Sequence, residues 1–240
     1  ERGVVTIAGD KIVAVGEAWS LPDVTGAEVI DATGLHVIPG LIDLHIHGLR
    51  GFDAMQGQIA EMAAELPRHG VTAFLPTIIA APLKRLFELL DEMAAIIAAL
   101  PPGARILGLH MEGPYLSPQR PGMMDPRLFR PFRGQEFERL LAASQGQGKM
   151  VTLAPEEGEA LSGIPRLIER GIVPSIGHSN ATFEQVAEAV QLGLAHASHT
   201  YNAMRGFHHR APGVVGAVWF FDQITAQVIA DGVHVHPAAL

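Results

Sequence analysis

The chain has 240 residues, 48% of them hydrophobic and 18% charged, with a formal net charge of −8 and no cysteine. That length and apolar content supply core for one large domain or two small ones and exclude a disordered chain. The 17 Lys and Arg are scattered, so no electrostatic footprint for nucleic acid or an anionic membrane is present. Lack of cysteine removes disulfides, thiolate metal sites and cysteine nucleophiles, so any metal must be held by His and carboxylates. No apolar run reaches the length of a membrane span, and the opening Glu1-Arg2-Gly3-Val4-Val5 reads as neither a signal nor a transit peptide. The expectation is a soluble cytoplasmic protein with no nucleic-acid or membrane partner. A start without Met and a stop at Ala238-Ala239-Leu240 read as part of a longer protein.

Residues 1 to about 37 alternate short β-type runs with turns. Val4-Val5-Thr6-Ile7, the turn Ala8-Gly9-Asp10-Lys11 and Ile12-Val13-Ala14-Val15-Gly16 come first, with Glu28-Val29-Ile30-Asp31 and Leu35-His36-Val37-Ile38 later. This is the pattern of a small antiparallel lobe. After Pro39 the rhythm becomes strand then helix. Strands are predicted over 41–47, 71–76, 105–112, 150–154, 172–177, 194–200 and 224–230. Helices are predicted over 58–68, 82–100, 135–143, 159–170 and 182–191. In the second of these, Leu83, Leu86, Phe87, Leu90, Met93, Ala94 and Ile97 keep the i, i+3, i+4, i+7 spacing of one buried face.

Seven strands alternating with helices imply a parallel sheet, either open and doubly wound or closed as a (β/α)8 TIM-like barrel. No Gly-x-Gly-x-x-Gly follows the first strand and no phosphate loop occurs, which favours the barrel, with its eighth strand absent from this chain.

In such a barrel the functional residues sit at the C-terminal strand ends. The first strand ends in His45-Ile46-His47, where period-two alternation turns both imidazoles to one face. The third ends in His110-Met111-Glu112, the fifth runs into Gly177-His178, and the sixth reaches His199. His45, His47, Glu112, His178 and His199 therefore converge on one mouth. Imidazole plus carboxylate without thiolate suits Zn²⁺, Fe²⁺, Mn²⁺ or Co²⁺. A site with open positions would acidify water and polarise a carbonyl, so a metal-assisted hydrolase follows from the spacing, while the substrate does not.

Pro39-Gly40-x-Ile42-Asp43-x-His45-x-His47 is similar to the first-strand signature of the amidohydrolase superfamily. More narrowly, six linked motifs resemble the N-acetylglucosamine-6-phosphate deacetylase family: His110 to Tyr115, Val151 to Glu156, Gly177 to Thr182, His199 to Met204, Arg210-x-Pro212-Gly213 and Ile229 to His234. The resemblance implies a barrel (39–240, incomplete) with part of a small β-sandwich lobe (1–38). It implies Glu112, His178 and His199 as principal metal ligands, with His45 and His47 for a second ion in members that have one. Zn is the expected metal, as one or two ions. Asn202, Ala203, Arg210 and His234 match positions that grip the sugar 6-phosphate, the histidine coming from a neighbouring subunit, so a homodimer is implied. A guanidinium suits that grip because its bidentate contacts to phosphate are strong and directional.

Two departures stand out. The family carries Lys-Gly-x-His in the loop after the third strand; this chain reads Pro121-Gly122-Met123-Met124, placing Met124 where a histidine polarises the acetyl carbonyl. A thioether is a weak acceptor and no donor, so an altered substrate or polarisation dominated by the metal is expected. The family's general base, an aspartate on the eighth strand, has no counterpart here, so no catalytic residue of that kind is assigned within these 240 residues. The readings left open are deacetylation of N-acetylglucosamine 6-phosphate, the same chemistry on the galactosamine epimer or another acylated amine, and a non-enzymatic sugar-phosphate binder. His208, His209, His196, His236 and His69 are read as solvated, packed or capping residues; His110, which faces the same way as Glu112 by alternation, is not promoted either, a place behind the ligands being its lesser reading.

Overall fold

In the opening segment β-branched residues dominate two runs separated by a Gly-Asp turn, which is a hairpin signal. The computed structural model describes residues 3–17 and 25–240. It contains that hairpin: β1 (Gly3–Ala8) pairs antiparallel with β2 (Lys11–Glu17), and Gly9 takes the positive φ of 63° that the tight turn needs. The chain divides into two compact units, Glu1–Pro39 and Gly40–Leu240. The expected strands at 28–31 and 35–38 are not formed, and Val29, Ile30, Leu35, Val37 and Ile38 are exposed. A strand exists only through a ladder partner, and period-two composition could not reveal that none pairs there among the described residues. Residues 18–24 of the expected lobe lie outside the described residues.

The second unit is a parallel βα array. It begins with β3 (Leu41–Ile46), a small hairpin of β4 (Gly48–Leu49) and β5 (Phe52–Asp53), α1 (Ile59–Glu65), and β6 (Val71–Ile79). Next come α2 (Leu83–Ala98), β7 (Arg105–Ile106), β8 (Leu109–Glu112), α3 (Gly134–Ala143) and β9 (Gly148–Leu153). The array closes with α4 (Ala160–Glu169), β10 (Val173–Ile176), α5 (Phe183–Gln191), β11 (His196–Ala197), α6 (Gly213–Phe220) and β12 (Thr225–Ala226). The strand order is β3-β6-β8-β9-β10-β11-β12, with β7 also on β6, and every pairing in it is parallel. This is seven-eighths of a TIM-like barrel, β7 and β8 being the two halves of its third strand.

The predicted helix faces are the buried ones. Leu86, Leu89, Leu90, Met93, Ala94 and Ile97 of α2 are buried, with Leu83 and Phe87 at the margin. Thr182 caps α5 in a reciprocal capping box with Gln185, fixing where that helix starts. Helix 58–68 is shorter than expected, because Pro67 and Gly70 turn its last residues, Leu66–His69, into a 3₁₀ segment. Strand six is far shorter than 194–200, since the chain leaves the ladder after Ala197 and turns at Ser198–Thr200. Strand seven likewise spans Thr225–Ala226 rather than 224–230. No sequence pattern marks helix α6: Gly213-Val-Val-Gly-Ala-Val has poor helix propensity and is apolar on every side, so it shows no 3.6-residue stripe. Burial of Gly213–Val218 on all faces decides its conformation instead.

Candidate metal centre

Every expected ligand lies at a C-terminal strand end. Glu112 is the last residue of β8, His178 and His199 each follow their strands by two residues, and His45 and His47 close β3. Both turns are tight enough to push non-glycine residues into the left-handed region, with φ of 45° at His178 and 33° at His199, and of 80° and 48° at Tyr201 and Ala203. Such strain persists only where surrounding structure over-determines it, and it gathers at functional sites.

Glu112 is 2% exposed and its two oxygens face different partners. Oε1 lies 3.0 Å from His178 Nε2 and 2.8 Å from His199 Nε2, while Oε2 lies 3.4 Å from His45 Nε2 and 3.3 Å from His47 Nε2. The two Nε2 atoms of the His45/His47 pair are 3.2 Å apart. One carboxylate thus joins two clusters, His45/His47/Glu112 and Glu112/His178/His199, each compact enough to hold an ion.

The far side of the rings fixes which atoms face inward. His178 Nδ1 lies 3.0 Å from the Arg120 carbonyl, His199 Nδ1 is 3.1 Å from the Asn202 carbonyl, and His47 Nδ1 is 3.1 Å from the Thr77 carbonyl. Carbonyls only accept, so each Nδ1 donates its hydrogen and each neutral ring presents its Nε2 lone pair to Glu112. Three lone pairs aimed at an anionic carboxylate repel unless positive charge lies among them, either protons or a divalent ion. Tetrahedral ligands about 2.0–2.1 Å from zinc stand roughly 3.3 Å from one another, close to these separations. The donor set fits a metal.

The electrostatics agree. Burial opposes charge on Glu112, but with protons among the rings of His178, His199, His45 and His47 their hydrogen bonds outweigh it and hold the carboxyl well below its ordinary range. For His47, burial pulls the imidazole down and Glu112 more than restores it, leaving its pKa raised.

A family model described as the amidohydrolase family matches residues 36–240. The chain belongs to the amidohydrolase family. Within it, the chain is 40% identical over 205 residues to an N-acetylgalactosamine-6-phosphate deacetylase of Escherichia coli O157:H7, covering 84% of this chain and 54% of that one. It is 38% identical over 209 residues to an N-acetylglucosamine-6-phosphate deacetylase of Bacillus subtilis (strain 168), covering 85% and 53%. Among solved structures it is similar to a mutant N-acetyl-D-glucosamine-6-phosphate deacetylase of Mycobacterium smegmatis in complex with N-acetyl-D-glucosamine-6-phosphate, with a TM-score of 0.86 and 34% identity over 98% of this chain and 61% of that one. The chain therefore spans little more than half the length of these curated amidohydrolase relatives.

The other expected site residues are more dispersed. Asn202 gives its carbonyl to His199, and its Nδ2 is buried without a hydrogen-bond partner. Ala203 faces Gly122, where an added Cβ would meet His178 Cε1 at 3.0 Å and the Ala203 Cβ at 3.3 Å. The loop after strand three is thus pressed against the centre. Within that loop Met123 is exposed, while Met124 is buried with Ala80 and Leu116 in a small apolar cluster. Arg210 is exposed and shares a cleft with Thr182, Glu184 and Arg205. His234 is exposed and held by Asp231, whose Oδ2 lies 2.7 Å from His234 Nδ1. Backbone N–H groups of His234 and Val233, then the His234 ring, push the Asp231 carboxyl down to about 2.

Two supports escaped the sequence reading. The sequence pattern ends strand two at Pro76, yet the strand runs to Ile79 and delivers Thr77 to the centre; the β-branched pair Ile78-Ile79 beyond the proline is the available signal. Glu156 is the second. Its carboxylate accepts from Ser179 Oγ and from the Asn180 N–H, tying down the turn that carries His178, and burial raises its pKa against those bonds. Nothing short of the fold links Glu156 with residues 179–180.

Proposed function

We propose that the full-length protein is a metal-dependent hydrolase that removes the N-acetyl group of N-acetylglucosamine 6-phosphate, releasing glucosamine 6-phosphate and acetate. The observation that carries this reading is the sharing of one buried carboxylate, Glu112, between two pairs of inward-facing imidazole nitrogens. Glu112, His178 and His199 would hold one divalent ion, and His45 and His47, with the other oxygen of Glu112, a second. Zinc is the first choice; iron, manganese and cobalt accept the same donors. Such an ion supplies Lewis acidity, which acidifies water and polarises an acyl carbonyl.

The chain's own residues do the rest. Carbonyls of Arg120, Asn202 and Thr77 keep three imidazoles in one tautomer, so their lone pairs are ready without reorganisation. The unpaired Nδ2 of Asn202 is a donor awaiting an acceptor such as a phosphate oxygen. With Ala203 and the freely projecting guanidinium of Arg210, it forms the proposed phosphate grip. His234, exposed and already oriented by Asp231, suits the role of a residue offered to a neighbouring copy, and we place the protein as a homodimer. Met123 and Met124 follow Gly122, which packs beside His178, and neither offers the hydrogen-bond donor that the family histidine provides. No residue of this chain is proposed for moving the proton from water to the leaving amine, a role that the family resemblance gives to an aspartate on the eighth strand.

We further propose residues 1–38 as part of the β-sandwich lobe, residues 39–240 as the barrel, and the cytoplasm as the location. No helix among the described residues is long and apolar enough to cross a membrane. A second reading, hydrolysis of the galactosamine epimer, is favoured by the 40% identity to the Escherichia coli relative. Acetate release by the full-length protein from the two N-acetylhexosamine 6-phosphates and their unphosphorylated forms separates the readings. Turnover of the glucosamine compound, lost without its phosphate, is expected. Preference for the galactosamine compound selects the second reading, and tight binding of both without acetate release refutes an enzyme.

A further inference from the structure

Barrel interiors are ordinarily filled by branched apolar side chains. Here Thr77, His110, Thr152, Ser175 and Ser198, from five neighbouring strand positions, are all fully buried. They form one hydrogen-bonded chain whose direction is set at its upper end. His110 Nδ1 lies 3.1 Å from the Leu44 carbonyl and 3.3 Å from Thr77 Oγ1. The carbonyl only accepts, so Nδ1 carries the hydrogen and Nε2 accepts from the Thr152 hydroxyl at 2.7 Å. Thr152 Oγ1 is in turn 2.8 Å from Ser198 Oγ, which is 2.9 Å from Ser175 Oγ.

The upper end of this chain meets a defect in the sheet. The β3–β6 ladder is regular at Ile42↔Ala73 and Asp43↔Phe74, then slips before Ile46↔Pro76. Side chains hold the backbone across the slip. Leu44 gives its carbonyl to His110, Ile46 N–H donates to Thr77 Oγ1 at 3.1 Å, and His45 N–H donates to Asp43 Oδ1 at 3.0 Å. His45 sits in the middle of that segment, its ring 4.6 Å from the ring of His110.

We propose that His110 is a positioning residue, whose Nδ1–H staples the slipped segment of strand one at Leu44 to strand three and so sets His45 against the carboxylate of Glu112. Thr152, Ser198 and Ser175 anchor the staple from below by holding Nε2 as an acceptor, which obliges Nδ1 to donate. A fully satisfied buried network of this kind is rigid, and losing one member leaves several groups unpaired. The consequence for metal binding rests on the metal-centre reading given above; the staple itself does not.

Two substitutions that both remove the imidazole separate the staple from simple loss of bulk. An amide in H110N reaches the place of Nδ1, and one in H110Q reaches the place of Nε2. In the full-length protein stripped of metal, amide exchange over residues 44–47 is expected to match wild type in H110N and to rise about tenfold in H110Q. On titration with Zn²⁺, H110Q is expected to bind the second equivalent about 10–100-fold more weakly, as loss of a ligand's supporting partner does, with the first equivalent unchanged. Equal loosening in the two variants, or wild-type exchange in H110Q, overturns the staple. A wild-type protein that takes up no second zinc overturns the two-ion reading of the centre instead, and the exchange comparison then decides the staple alone.

Discussion

Glu112→Gln removes the one charge common to both halves of the centre while keeping the side chain's volume. The carboxylate is buried and meets four Nε2 atoms at 2.8–3.4 Å, two on each oxygen. Loss of a ligand's supporting partner already lowers metal affinity about 10–100-fold, so loss of the charge on a ligand shared by both halves is expected to lower zinc affinity by more than about 100-fold. The glutamine amide adds a second, directional effect. Its oxygen can serve one histidine pair only, and its two N–H groups then face the lone pairs of the other, so at most one ion remains. At alkaline pH, where the imidazoles of the metal-free protein are neutral, those same N–H groups satisfy lone pairs that the carboxylate repelled, so the thermal midpoint without metal is expected to hold there. The assay is zinc content after dialysis, zinc affinity by competition with a chelator, and melting of the chelated protein. Two tightly bound zinc ions per chain in Glu112→Gln would refute the reasoning, as would unfolding of its metal-free form.

In metal-free protein, the His47 pKa lies above its ordinary 6.5, burial lowering it and Glu112 more than compensating. Stability from that pairing is therefore fully present below 6.5 and lost as pH rises through the folded value. The destabilisation caused by His47→Gln, followed by melting of the chelated protein across pH, is expected to shrink as pH rises, and growth with pH would contradict the assignment. Zinc must displace the same proton, so its affinity on the His45/His47 side should fall as the solution is acidified. Arg210→Ala is expected to raise KM for the 6-phosphorylated sugar about tenfold to a hundredfold, the worth of a charge-assisted contact, with no change for the unphosphorylated sugar; equal effects on both would place Arg210 outside the phosphate grip. Phe74 on β6 is fully buried in the core, and Phe74→Ala should lower unfolding free energy by about 3–5 kcal/mol in urea titration, a value under 1 kcal/mol showing that the core collapses around the gap.

The barrel and the convergence on its mouth were legible because both depend on local periodicity. Strand ends carry the chemistry in a βα array, and His45, Glu112, His178 and His199 could be read off the ends of four predicted strands. Legibility failed where long-range partners decide. The runs Val29-Ile30 and Val37-Ile38 have β composition but no ladder in the described residues. Helix α6 carries no stripe because every face of Gly213–Val218 is buried. Strand two continues through Pro76 to Thr77, and the carbonyls of Arg120 and Asn202 that orient His178 and His199 belong to loops whose sequence gives no hint of that duty. Alternation put His110 on the face of Glu112 without deciding its role, and its bond to Leu44 depends on a register slip between strands one and two that no pattern in either strand announces.

The most direct measurement is anomalous diffraction at the zinc edge from crystals of the full-length protein grown with zinc. The centre described above predicts a peak bonded by Glu112 Oε1, His178 Nε2 and His199 Nε2, and a second by Glu112 Oε2, His45 Nε2 and His47 Nε2. Zinc bound elsewhere, with these five side chains joined only by hydrogen bonds, would contradict it.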